Sequence, residues 1–251
     1  MENKRIVIFS GTTEGRVLSE KLSELGQDNL EIIVSVATEF GQVMQGEIKG
    51  VKVICGKRSQ EEKIELLKDA AACIDATHPY AVGITEHIKA ACELAGTEYI
   101  RLLRAKSMDT DSLLTFESVA EAAEYLKGKE GNVLVTTGAK ELISFKESSS
   151  ERIYARVLPI ASSLDAAEKA GVPRQNVIAM QGPFSESLNI ALMKEFDIEY
   201  MVTKDGGKAG GFEEKIEAAE KCGVKTLLVR RPEDEGMSES EVFDYLKDRI
   251  L

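Results

Sequence analysis

Short apolar runs and longer amphipathic stretches alternate along this chain from end to end. The first run is Ile6-Val7-Ile8-Phe9, within a strand expected over Arg5–Ser10. Four more strands are expected at Glu31–Val36, Val51–Cys55, Ala72–Asp75 and Glu98–Arg101. A second series is expected at Asn132–Thr137, Tyr154–Leu158, Asn176–Met180, Tyr200–Thr203 and Lys225–Val229. Between the strands lie helix-period segments. Glu14–Leu25 places Val17, Leu18, Leu22 and Leu25 on one face. Helices are likewise expected over Glu61–Lys68, Ala81–Ala95, Val119–Leu126, Leu164–Ala170, Leu188–Glu195, Glu213–Lys221 and Glu239–Arg249. Mostly apolar strands alternating with helices indicate α/β architecture with parallel sheets covered on both faces.

One open sheet holding both series would be at the upper limit of size, so two sheets fit better. The polar, glycine-punctuated stretch Lys127-Gly128-Lys129-Glu130-Gly131-Asn132 sets the expected division into domains 1–127 and 128–251.

Composition narrows the function. With 32 basic and 43 acidic residues the formal net charge is −11, which disfavours a nucleic-acid binder. It does not disfavour anionic ligands, provided that cations cluster locally. No apolar run approaches the length of a membrane helix, and no signal-peptide pattern is present, so a cytoplasmic protein is expected. Cys55, Cys73, Cys92 and Cys222 are widely spaced and read as reduced thiols. With two histidines, His78 and His87, and no cysteine cluster beside them, no metal site is expected.

Candidate chemistry lies after the strands, because parallel α/β sheets bind ligands at their carboxyl ends. Gly11-Thr12-Thr13-Glu14-Gly15-Arg16 follows the first strand and opens a helix, offering backbone N–H groups to an anion. Its spacing is not the dinucleotide fingerprint, and a capped helix start is an equal reading. Asp75-Ala76-Thr77-His78-Pro79-Tyr80-Ala81 follows the fourth strand, with Pro79 suited to a first helical turn. Arg101 and Arg104 end the fifth. In the second series, Thr136-Thr137-Gly138-Ala139-Lys140, Gln181-Gly182-Pro183-Phe184 and Lys204-Asp205-Gly206-Gly207-Lys208 all follow strands. Glycine lets a backbone approach a phosphate, which Lys204 or Lys208 could neutralise. Three such loops on one sheet edge resemble a composite nucleotide site, although tight strand–helix turns favour glycine too.

Together these segments resemble the precorrin-6A reductases of cobalamin biosynthesis, including the cobalt-precorrin-6A reductases. The matching pieces occur in family order over nearly the whole chain. Many members carry Asn-Ser-Gly-Gly or Asp-Ser-Gly where this chain has Asp205-Gly206-Gly207. The resemblance implies two Rossmann-like domains with the site in a cleft between them. It implies reduction of an anionic macrocycle by hydride from NADH or NADPH. On that basis Thr12, Thr13, Arg16, Thr77, Arg101 and Arg104 are expected to bind substrate. Thr137, Gly138, Lys140, Gln181, Gly182, Pro183, Lys204, Gly206 and Gly207 are expected to bind cofactor. His78 and Tyr80 are candidates for the proton donor, with bulk water as the alternative. Other readings are a tetrapyrrole transferase or synthase, a non-catalytic nucleotide-binding module, and a short-chain-like dehydrogenase. The last would need a Tyr-x-x-x-Lys pair for acid–base work.

Overall fold

A computed structural model describes residues 4–103, 113–147, 150–207 and 210–251. The chain divides into two compact units, 1–105 with 232–251, and 106–231. This corrects the expected division at 127/128. Two pieces of chain cross that boundary, one in each direction.

In the first unit, strands β1 (Lys4–Ser10), β2 (Leu30–Val36), β3 (Val51–Cys55), β4 (Ala72–Ala76) and β5 (Tyr99–Arg101) form a parallel sheet of order β3-β2-β1-β4-β5. Strand alternation sends successive side chains to opposite faces. Ile6 and Ile8 of β1 pack with Leu18 and Leu22 of α1 (Thr13–Glu24). Val7 and Phe9 pack on the other face with Leu67 of α3 (Gln60–Leu67) and Ile88 of α4 (Val82–Ala95). Both faces are dry, which is why these strands read as unbroken apolar runs. A short helix, α2 (Glu39–Gln45), lies between β2 and β3 and was not anticipated from periodicity.

The C-terminal helix α9 (Glu239–Arg249) belongs to this first sheet. Its Val242 and Leu246 are fully buried in the cluster of Ile6, Ile8 and Leu22. The segment leading to it runs alongside β5: Met237 N–H donates to Arg101 O at 2.9 Å, and Leu103 N–H donates to Met237 O at 2.8 Å. Gly236 makes the approach possible, since a Cβ there would lie 2.5 Å from the Arg101 carbonyl oxygen.

In the second unit, six parallel strands have the order β6-β11-β10-β7-β8-β9. They are β6 (Leu114–Phe116), β7 (Asn132–Val135), β8 (Ile153–Val157), β9 (Val177–Ala179), β10 (Ile198–Lys204) and β11 (Lys225–Val229). The strand β6 is not among those expected from the sequence. It pairs with β11 and carries α5 (Val119–Tyr125) into this unit. Helices α7 (Glu186–Glu195) and α8 (Phe212–Cys222) cover one face, where Met193, Phe212, Ile216 and Ala219 are buried. Helix α6 (Ala161–Lys169) and a 3-10 helix (Ala139–Phe145) add the buried side chains Ala167, Leu142 and Phe145.

No described helix is long and apolar enough to cross a membrane. The four cysteines are free thiols, Cys73 and Cys92 buried, Cys55 and Cys222 half-buried.

Candidate functional site

Each sheet reverses its winding direction once, and the carboxyl ends of the strands flanking that reversal leave a crevice for ligands. In the first unit the reversal falls between β1 and β4, in the second between β7 and β10. The sequence motifs lie at these two places.

At the first crevice, Thr12 caps α1 by accepting from Gly15 N–H at 3.3 Å, and its hydroxyl donates to Ala76 O at 3.0 Å. The loop after β1 is thereby tied to the end of β4. Gly15 allows α1 to press on the sheet: a Cβ there would meet Ala76 Cβ and Ser10 Oγ, both at 2.8 Å. Thr13 is exposed in the first turn. Arg16 lies further along the same helix, its side chain 43% exposed and paired with Glu20. His78 and Tyr80 are half-buried in the turn before α4, their ring centroids 5.6 Å apart. Tyr80 N–H donates to His78 Nδ1 at 3.4 Å. Pro79 sits in that turn rather than in the helix, whose N-cap is Ala81.

Arg101 departs from expectation. Its side chain is 2% exposed, and it is a structural keystone rather than a presented cation. Nη1 donates to the Asp75 carboxylate at 3.0 Å, to Asp75 O at 3.0 Å and to Thr77 O at 3.1 Å. Nε donates to Asp234 at 2.6 Å. Asp75 is itself fully buried and also accepts from Tyr99 Oη at 2.9 Å and Thr77 Oγ1 at 2.7 Å. Burial beside that carboxylate raises the Tyr99 phenol above its ordinary range. Thr77 is thus engaged with Asp75, and its hydroxyl also lies 3.3 Å from that of Thr85. Arg104 and Lys208 lie outside the described residues.

At the second crevice, Gly138 takes φ 99° as the chain turns from β7 into the 3-10 helix. The Thr137 hydroxyl is buried and has no hydrogen-bond partner among the described residues, a costly state that a ligand group would relieve. Lys140 is exposed, with no ion pair among the described residues. Lys204 pairs with Glu141 at 2.6 Å, clasping the loop after β10 to the 3-10 helix after β7. It is therefore not a bare cation awaiting phosphate. Asp205 Oδ1 accepts from Gly207 N–H at 2.9 Å, and its other oxygen lies 3.3 Å from Arg231. After β9, Gln181 and Pro183 are exposed, and the Gly182–Pro183 bond is cis. A Cβ on Gly182 would come within 2.9 Å of the Phe184 ring.

Sequence reading missed two buried cations here. Arg156 of β8 is 6% exposed, donates to Asn189 Oδ1 at 2.7 Å and lies 4.2 Å from the centroid of the Phe184 ring. Lys215 of α8 is 7% exposed and donates to Thr203 Oγ1 at 3.1 Å. Both were detectable in principle. Lys215 falls on the apolar stripe Phe212, Ile216, Ala219, and Arg156 interrupts an otherwise apolar strand.

The Tyr-x-x-x-Lys spacing of short-chain dehydrogenases occurs twice, and neither case is an acid–base pair. Tyr200 is buried within β10 while Lys204 is held by Glu141. Lys129 stacks over the Tyr125 ring at 4.4 Å beyond the end of α5.

The second crevice thus combines a hydroxyl unpartnered among the described residues, a glycine turn and nearby cations, a donor set that fits a phosphate-bearing nucleotide. The first offers Arg16 and a His–Tyr pair. Residues 5–247 match the family model described as Precorrin-6x reductase CbiJ/CobK. The chain is 34% identical over 237 residues to the cobalt-precorrin-6A reductase of Methanothermobacter thermautotrophicus, covering 92% of this chain and 78% of that protein. It is 31% identical to the Priestia megaterium cobalt-precorrin-6A reductase, with coverage of 92% and 91%. The precorrin-6A reductase of Mycobacterium tuberculosis is 28% identical, with coverage of 91% and 89%. A solved structure titled CobK precorrin-6A reductase has the same fold, with a TM-score of 0.76 at 20% identity over 98% of this chain and 97% of that one. The chain belongs to the precorrin-6x reductase family, oxidoreductases of cobalamin biosynthesis.

Proposed function

We propose that this protein reduces cobalt-precorrin-6A to cobalt-precorrin-6B, with NADH or NADPH as hydride donor. The observation that carries this reading is the family match over residues 5–247. Identities of 34% and 31% to the cobalt-precorrin enzymes, against 28% to the precorrin-6A reductase, support the cobalt-containing ring as substrate.

The nicotinamide cofactor, when bound, supplies the hydride. In this reading the second unit holds it. Thr137 offers its hydroxyl, unpartnered among the described residues, Gly138, Gly182, Gly206 and Gly207 offer close backbone approach, and Lys140 offers an exposed charge. Gln181, Pro183 and Lys204 shape the flanking loops, Lys204 through Glu141. The first unit holds the macrocycle. A protein of net charge −11 repels a polycarboxylate on average, so a local cation must receive it. Arg16 is the exposed guanidinium at the first crevice, and its planar fork suits a carboxylate once Glu20 releases it. Thr12 and Thr13 place the helix N-terminus beside it, and Thr77 holds the turn that carries His78.

Hydride addition leaves a ring position that must accept a proton. His78, in its imidazolium form, is the group assigned to give it, with Tyr80 against its ring. The test is an anaerobic mixture of protein, reduced nicotinamide and cobalt-precorrin-6A, followed at both chromophores. The reading expects stoichiometric loss of both. Oxidation of neither, with both ligands bound, contradicts it.

A further inference from the structure

Beneath the loops of the second crevice lie two buried cations with no ion-pair partner among the described residues. They are Arg156 of β8 and Lys215 of α8. An ammonium has three N–H donors, and that of Lys215 has one hydrogen-bond partner there, Thr203 Oγ1. Arg156 has one as well, Asn189 Oδ1 of α7. Both partners are neutral. Burying two like charges in this way is expensive unless a counter-charge arrives.

The pair is wired to the loops assigned to the cofactor. Arg156 backs Phe184 of the loop after β9. Lys215 holds Thr203, which immediately precedes Lys204-Asp205-Gly206-Gly207. Helix α8 begins just past that loop at Gly211, with no side-chain cap among the described residues and with Glu213 and Glu214 in its first turn. We infer that Arg156 and Lys215 form a buried cationic floor whose counter-charge is a phosphate group of the bound nicotinamide cofactor, so that cofactor binding draws a proton onto Lys215. This rests on the cofactor assignment above and adds to it a linkage between cofactor affinity and pH.

The charged groups acting on Lys215 set the direction. Burial and the neighbouring Arg156 push its ammonium down to about 7, offset in part by Asp205 beyond β10 and Glu214 on its own helix. On α7, Glu186 is taken by Lys221, further along α8. Arg156, lowered by burial to about 10, stays charged at neutral pH. A phosphate placed over the floor favours the charged ammonium and raises the Lys215 pKa. In the free protein Lys215 is largely neutral above neutrality, so binding takes up a proton there. Affinity then falls as pH rises, by about tenfold between pH 6 and pH 8 for a group of this kind.

The experiment is titration calorimetry of the full chain with NADPH and NADH near pH 8, in two buffers of different ionisation enthalpy. The wild type is expected to take up roughly half a proton or more per cofactor bound. Lys215→Met, checked for folding by circular dichroism, is expected to lose that uptake and the pH dependence that goes with it. Uptake with both cofactors places the pyrophosphate over the floor; uptake with NADPH alone places the 2′-phosphate there. Cofactor binding with no proton uptake in the wild type, or equal uptake in Lys215→Met, overturns the inference and leaves the cofactor assignment standing. No binding of either cofactor overturns both.

Discussion

The two units bury arginine at the carboxyl end of a parallel sheet in opposite ways. In the first, Arg101 is enclosed by Asp75 and Asp234, and Asp75 is further met by Tyr99 and Thr77. That network is closed and needs nothing from outside. In the second, the hydrogen-bond partners of Arg156 and Lys215 among the described residues are a neutral amide oxygen and a hydroxyl. A buried charge with its counter-ion in place serves the fold, whereas one without it is costly and is retained where a ligand supplies the missing charge. The contrast separates a cation that looked like a site residue from cations that sequence reading passed over.

The sharpest way to break the comparison is to open the closed network. Asp75→Asn leaves Arg101 buried with half its counter-charge gone, and should cost ~3–5 kcal/mol of stability in denaturant unfolding. Lys215→Met in the second unit removes an amine that has no ion-pair partner among the described residues, and should leave the unfolding midpoint near that of wild type. Equal losses in the two variants would erase the distinction drawn here.

Next in size is the proton. His78→Asn should slow single turnover by about 100-fold with macrocycle binding intact, and Tyr80→Phe should slow it less. A loss below about threefold in both would give the proton to water. Arg16→Ala tests the exposed cation of the first unit against the enclosed one: it should weaken macrocycle binding by ~1.5–3 kcal/mol and spare the cofactor. Arg101→Ala should instead lower stability, because its guanidinium is occupied by the protein itself. Smallest is Gly182→Val, expected to raise the cofactor dissociation constant about tenfold, or ~1.4 kcal/mol. The added side chain strikes the Phe184 ring that lies over Arg156, so the loop moves off its support. An unchanged cofactor affinity in the folded variant would detach this loop from the site.

Much of this was legible in the sequence because both sheets are covered on both sides. Apolar runs such as Ile6–Phe9 and Leu227–Val229 stand out regardless of register. The three-residue β6 had no such run, and α9 could not be assigned to the first unit from its own pattern. Its apolar face would fit either sheet, and only Gly236 beside Arg101 hints at the crossing. At the site, the motif loops were visible as glycine and threonine after strands. Whether a given cation points at solvent or into the fold depends on partners far along the chain. Asp234 lies 133 residues from Arg101, beyond the reach of local pattern.

The central claim is that the second unit receives the cofactor through the crevice between β7 and β10. Hydrogen–deuterium exchange of the whole protein with and without saturating NADPH tests it most directly. Protection concentrated at Thr136–Lys140, Gln181–Phe184 and Lys204–Gly207, with Gly11–Arg16 and Thr77–Tyr80 unchanged, is the result expected. Protection confined to Gly11–Arg16 and Thr77–Tyr80 would contradict it and move the cofactor to the first unit.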